Sequence, residues 1–116
     1  MPSSAHPDVT PRTLEILLAL ADRPRHGYGI RQEVEQRTGG QVVLRSGTLY
    51  EAIQRLEGRA WIEPVSAPEG EQESGGPERR FYALTDEGRV ALADELGRLQ
   101  SILDTAAGKA LVPKPV

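Results

Sequence analysis

Hydrophobic residues change period partway along this chain, and that change restricts its folding more than any other feature. Up to residue 60 apolar positions recur three and four apart; at 61–65 and 81–84 they alternate or run together; beyond 85 the helical spacing returns and continues to 107. A spacing of three and four fits only a helix, and an alternating one only a strand. The chain is therefore expected to form three short helices, a β-hairpin and a long final helix.

Each element carries its own start and stop signals. Thr10-Pro11 supplies an N-cap and a first-turn proline, and Leu14, Leu17, Leu18 and Ala21 form a stripe that ends before Pro24. Gly27-Tyr28-Gly29 opens a second helix with Ile30 and Val34 on one face, closed by Thr38-Gly39-Gly40. After a brief apolar connector, Val42-Val43-Leu44, Ser46-Gly47 is expected to cap a third helix that ends near Arg59, with Leu49, Ile53 and Leu56 inward. Thr85 caps the last helix, and Asp86 and Glu87 stand in its first turn, where the helix dipole favours negative charge. In that helix Leu92, Leu96, Leu99 and Leu103 follow coiled-coil spacing, continued by Ala106, and such a seam needs a partner.

This order is that of a winged helix-turn-helix: mainly α with a small β-hairpin and a long C-terminal dimerisation helix. The expected division is a disordered arm at 1–9, the winged unit at 10–84, the dimerisation helix at 85–107 and a flexible tail at 108–116. Only five aromatic residues are present (Tyr28, Tyr50, Trp61, Phe81 and Tyr82), so the core must be aliphatic. Residues 66–78, between the two strands, hold three glycines, two prolines and four glutamates without a base, and read as a long mobile hairpin tip.

That tip also explains the charge. The net value of −3 argues against a uniformly basic nucleic-acid binder, but without the tip fourteen bases face thirteen acids. The acidity is local, and an acidic tip is expected to point away from a duplex. With no cysteine the chain has no disulfide, thiolate nucleophile or zinc-thiolate site. His6 and His26 lack the carboxylate spacing of a metal site, and capping or surface roles suit them better. Neither a nucleophile elbow nor a phosphate-binding glycine loop follows a strand, and the paired acids Asp94 and Glu95 are expected on a helix surface. The expectation is a protein with no enzymatic activity and no cofactor. No apolar run is long enough to cross a bilayer and 1–8 lacks a secretory pattern, so a cytoplasmic location is expected.

The third helix separates into two faces. Gly47, Glu51, Gln54 and Gly58 point outward, flanked by Tyr50 on one side and by Thr48, Arg55 and Arg59 on the other. Arg and Gln can read base edges, and Thr and Tyr hydroxyls can bind phosphate oxygens, so this face suits DNA as well as plain solvent. Arg79 and Arg80 stand at the wing stem, where they can grip phosphate or pair with the acids of the tip.

Three segments resemble the PadR family of transcriptional regulators. Gly47-Thr48-Leu49-Tyr50 with Arg55-Leu56-Glu57 is similar to the family's recognition-helix signature. His26-Gly27-Tyr28-Gly29-Ile30 resembles its second-helix motif, and Arg80-Phe81-Tyr82-Ala83-Leu84-Thr85-Asp86-Glu87-Gly88 its wing-to-last-helix motif. Ser46 stands where many members carry proline, and Ala60-Trp61 where a glycine and an aliphatic residue are common. The resemblance implies a sequence-specific DNA-binding homodimer on an inverted-repeat operator, acting as a repressor released by a small aromatic or lipophilic effector, with no membrane association. The DNA-facing candidates are Tyr28, Thr48, Tyr50, Gln54, Arg55, Arg79 and Arg80; Leu92, Leu96, Leu99 and Leu103 are the dimerisation candidates. The rival reading is a winged-helix module that binds another protein, supported by the negative net charge and the acidic tip.

Overall fold

The computed structural model describes residues 9–70 and 80–111. Its elements run α1 (Pro11–Ala19), β1 (Arg25–His26), α2 (Gly27–Arg37), α3 (Ser46–Gly58), β2 (Ile62–Val65), β3 (Phe81–Leu84) and α4 (Asp86–Gly108). The expected hairpin is present, with Ile62 opposite Leu84 and Val65 opposite Phe81. A third strand, β1, joins its other edge through Arg25 and Tyr82 and through His26 and Phe81, giving the order β1-β3-β2. Two residues are too few to show a period, so the sequence carries no sign of this strand.

The core is aliphatic apart from the aromatic residues of β3, Phe81 and Tyr82, which are buried against the expectation. Ile16, Leu17 and Leu20 from the α1 region meet Ile30 and Val34 of α2, Leu49, Ile53 and Leu56 of α3, and Leu44, Ile62, Tyr82 and Leu92. The α1 stripe is displaced by one position from the expected 14/17/18/21: Thr13, Ile16, Leu17 and Leu20 are buried, while Leu14, Leu18 and Ala21 pack at the margin. Helix α1 lies against both α2 and α4, so its covered arc is wider than one stripe. Val9, assigned to the arm by sequence, is buried; residues 1–8 lie outside the described part, as do 71–79 of the hairpin tip and 112–116 of the tail.

Helix starts follow the expected chemistry in three cases out of four. Thr10 Oγ1 accepts from Thr13 N at 3.2 Å, His26 Nδ1 accepts from Gly29 N at 3.0 Å, and Thr85 Oγ1 accepts from Gly88 N at 2.9 Å. Ser46 does not cap α3. The first helical bond runs from Leu49 N to the Arg45 carbonyl, so Ser46 is already inside the helix, and Arg45 occupies the cap without a side-chain bond. The tail reading is corrected at its start: Gly108 belongs to α4, Lys109 is its C-cap, and Leu111 N donates back to the Ala106 carbonyl at 2.9 Å.

Two arginines tie α1 to its neighbours. Arg25 donates from Nε to the Ala19 carbonyl at 2.7 Å and pairs with Asp22 at 3.3 Å; Arg37 bridges Glu15 and Glu33. Burial works against the Arg37 cation, but hydrogen bonds to Glu15 and Glu33 outweigh it and raise its pKa above the ordinary guanidinium value. Glu95, expected on a helix surface, is buried on α4 and accepts two hydrogen bonds from Arg98, at 3.0 and 2.6 Å. Those bonds raise the pKa of Arg98 and satisfy a carboxylate that would be costly to bury alone.

The turn after α3 fixes α4 in place. Ala60 adopts φ 63°, the left-handed conformation that glycine takes without strain and alanine does not. Its carbonyl accepts from Thr85 Oγ1 at 2.6 Å, and the neighbouring Trp61 carbonyl accepts from Thr85 N at 3.0 Å. The N-terminus of α4 is thereby fastened to the C-terminal end of α3, and the angle between the two helices is fixed.

Candidate nucleic-acid interface

Burial divides α3 as its sequence pattern requires. Leu49, Ala52, Ile53 and Leu56 are buried, and Gly47, Tyr50, Glu51, Gln54, Arg55 and Gly58 are exposed. At ~100° per residue the middle of the exposed arc falls on Gly47, Glu51, Gln54 and Gly58, with Arg55 and Tyr50 each ~70° to either side. An added Cβ at Gly47 or Gly58 would meet nothing within 4 Å, so the backbone itself is open at both ends of this face.

Tyr50 is held from below although half of it is exposed. A Cβ on Gly27 would come within 2.7 Å of its hydroxyl, so the ring lies directly on the glycine that starts α2. A side chain at position 27 would push the tyrosine ring outward from this seat. Tyr28, also half-exposed, stacks on His26 at 6.5 Å, and His26 meets Phe81 of β3 edge-on at 5.0 Å. These rings connect the start of α2 to the wing.

The other candidates divide as follows. Gln54, Arg55 and Arg80 are exposed, and Thr48 is half-buried at the edge of α3. Among the described residues Arg55 and Arg80 make no ion pair, and Arg55 does not bond Glu51, one turn before it on α3. Arg79 lies outside the described residues. Arg59 lies over the Trp61 ring at 5.5 Å from its centroid. Arg45 was not among the candidates; it is exposed at the start of α3, next to helix amides that have no side-chain cap. The sequence hides it because Ser46-Gly47 carries the better cap signal.

The seam on α4 is shorter than its leucine spacing suggests. Leu92 is 3% exposed and belongs to the hydrophobic core of the chain itself, so, against the expectation, it has no surface to offer a second copy. Leu96 and Leu103 are exposed and Leu99 is half-buried, accompanied by exposed Ile102 and Leu111. Among the described residues no cluster of three or more His, Asp or Glu is arranged for a metal, and no helix is long and apolar enough to cross a membrane.

Three helices, a three-stranded wing sheet and a fourth helix beyond it define a winged-helix protein. Residues 16–94 match the transcriptional regulator PadR-like family, and the chain belongs to that family. An uncharacterised protein of Lysinibacillus sphaericus is 33% identical over 92 residues, covering 77% of this chain and 81% of that protein. A PadR family transcription regulator from Clostridium difficile superposes with TM-score 0.68 at 27% identity, covering 84% of this chain and 95% of the other. Bacillus subtilis PadR, solved in complex with operator DNA, superposes with TM-score 0.59 at 20% identity; 89% of this chain is covered, but only 48% of that one.

Proposed function

We propose that this regulator binds operator DNA as a homodimer, with α3 of each protomer in successive major grooves of an inverted repeat. It acts in the cytoplasm as a repressor released by a small aromatic or lipophilic effector. The observation that carries this reading is the α3 face: Gln54 and Arg55 exposed, two open glycines, and neither Arg55 nor the wing residue Arg80 engaged in an ion pair among the described residues. Side chains held by the fold, such as Arg25 and Arg37, are engaged with α1 and α2 instead. That the Bacillus subtilis regulator of the same fold was solved with its operator supports the assignment.

In this reading 10–84 is the DNA-binding unit and α4 beyond Leu92 carries the dimer through Leu96, Leu99 and Leu103. A shallow, largely apolar depression lined by Ser101, Ile102, Thr105, Ala106, Lys109 and Leu111 adjoins that seam and offers an effector an apolar surface. Tyr28, Thr48 and Tyr50 supply hydroxyls for phosphate, and the stem arginines Arg79 and Arg80 hold the backbone beside the groove. Gel retardation with the DNA upstream of the protein's own gene, at two salt concentrations, tests the assignment. A discrete complex that survives the higher salt against competitor DNA is expected; no complex at either salt refutes it.

A further inference from the structure

Glu51 is out of place on a face meant for DNA. It lies at the middle of the exposed arc of α3, between the two open glycines and beside Gln54, and among the described residues no cation neutralises it. A duplex carries one negative charge per ~1.7 Å of its axis, so a carboxylate that faced a phosphate there would only weaken binding. At the middle of the arc, however, a side chain projects toward the groove floor, and the phosphate walls fall to the flanks, where Tyr50 stands on one side while the longer Arg55 on the other still reaches base edges.

The floor of the major groove offers two kinds of hydrogen-bond donor, the cytosine N4 and adenine N6 amino groups. Beside the adenine donor stands N7, an acceptor whose lone pair would face the second carboxylate oxygen. Cytosine has no such acceptor on its own edge, and its donor is the matching partner for a glutamate. From this placement we infer that Glu51 is a specificity-determining residue that selects cytosine at one position of each half-site. The inference rests on the DNA-binding assignment above. Glu51 adds no attraction for DNA in general; it accepts from cytosine N4 and excludes the other three bases, each of which would leave a desolvated carboxylate without a donor or against an acceptor.

Selection of bound duplexes from a randomised pool, with the full chain and with E51Q and E51A, tests this. Glu51 is exposed, so neither variant disturbs the core. The wild type is expected to enrich cytosine at one half-site position by about tenfold or more, the discrimination of one good base contact. E51A should lose that preference alone, keep the others and bind scrambled duplexes more tightly at low salt. E51Q should move the preference toward adenine, which a glutamine contacts through N6 and N7. Retention of the cytosine preference in both variants overturns the inference. A wild type that enriches no sequence at all overturns the DNA-binding assignment beneath it, and the two failures are distinguishable.

Discussion

Replacing Gly88 with alanine is expected to destabilise the protein by about 3 kcal/mol or more, from overpacking and lost hydrogen bonds together. Helix propensity predicts the opposite sign, since alanine is better than glycine inside a helix by roughly 0.5–1 kcal/mol. Packing decides against propensity here. A Cβ on Gly88 would lie 2.0 Å from the Trp61 carbonyl oxygen, 2.8 Å from its carbon and 2.9 Å from Leu84 Cδ1. The first two are backbone atoms and cannot rotate aside, so α4 must move away from the turn after α3. That movement breaks the bonds from Thr85 N to Trp61 O and from Thr85 Oγ1 to Ala60 O. Thermal unfolding should show a melting temperature lower by ~12–24 °C, at about 4–8 °C per kcal/mol for a small domain. An unchanged or raised melting temperature would show that the α4 contact is looser than described.

The second large effect concerns assembly. Leu96 and Leu103 lie on α4 outside the protomer's core and are 38% and 49% exposed. More than half of each side chain is already covered, so burying the rest against a second copy is worth roughly half of the ~1.5–3 kcal/mol of a fully exposed leucine, counted twice in a symmetric dimer. Aspartate at both positions removes that gain and places four carboxylates in the seam, so the double variant is expected to be monomeric by light scattering where the wild type is dimeric. Because both side chains are exposed in the protomer, helix content and the winged unit should be kept. A wild type already monomeric at micromolar concentration, or a double variant still dimeric, would remove α4 from the interface.

Much of this architecture is legible in the sequence because its signals are local. The caps at Thr10 and Thr85, the strands around Ile62 and Phe81, and the two faces of α3 each follow from residues a few positions apart. What escapes local reading depends on tertiary contact. The one-residue shift of the α1 stripe arises because α4 returns to cover Leu17 and its neighbours from a second side. Strand β1 exists because Arg25 and His26 meet the edge of β3, a partner distant in sequence. Leu92 and Leu96 look equivalent as seam positions, yet the first is covered by its own domain. Gly88 reads as a weak point in a helix until the Trp61 carbonyl is placed above it. The sequence pattern places Gln54 and Arg55 on the exposed face of α3, as observed, but it could not show that Arg55 is unpaired or that Tyr50 rests on Gly27.

The central claim, that the exposed face of α3 reads DNA while the wing holds its backbone, is tested most directly by binding titrations. Wild type, Arg55→Ala and Arg80→Ala would each be titrated with operator and scrambled duplexes over a range of salt. The wild type is expected to prefer the operator. Arg55→Ala should lose ~1–3 kcal/mol of that preference per half-site and change little on the scrambled duplex. Arg80→Ala should weaken both duplexes alike and lower the salt slope by ~0.9 for each phosphate contact removed. Equal wild-type affinity for both duplexes, or variants indistinguishable from wild type on either, would contradict it.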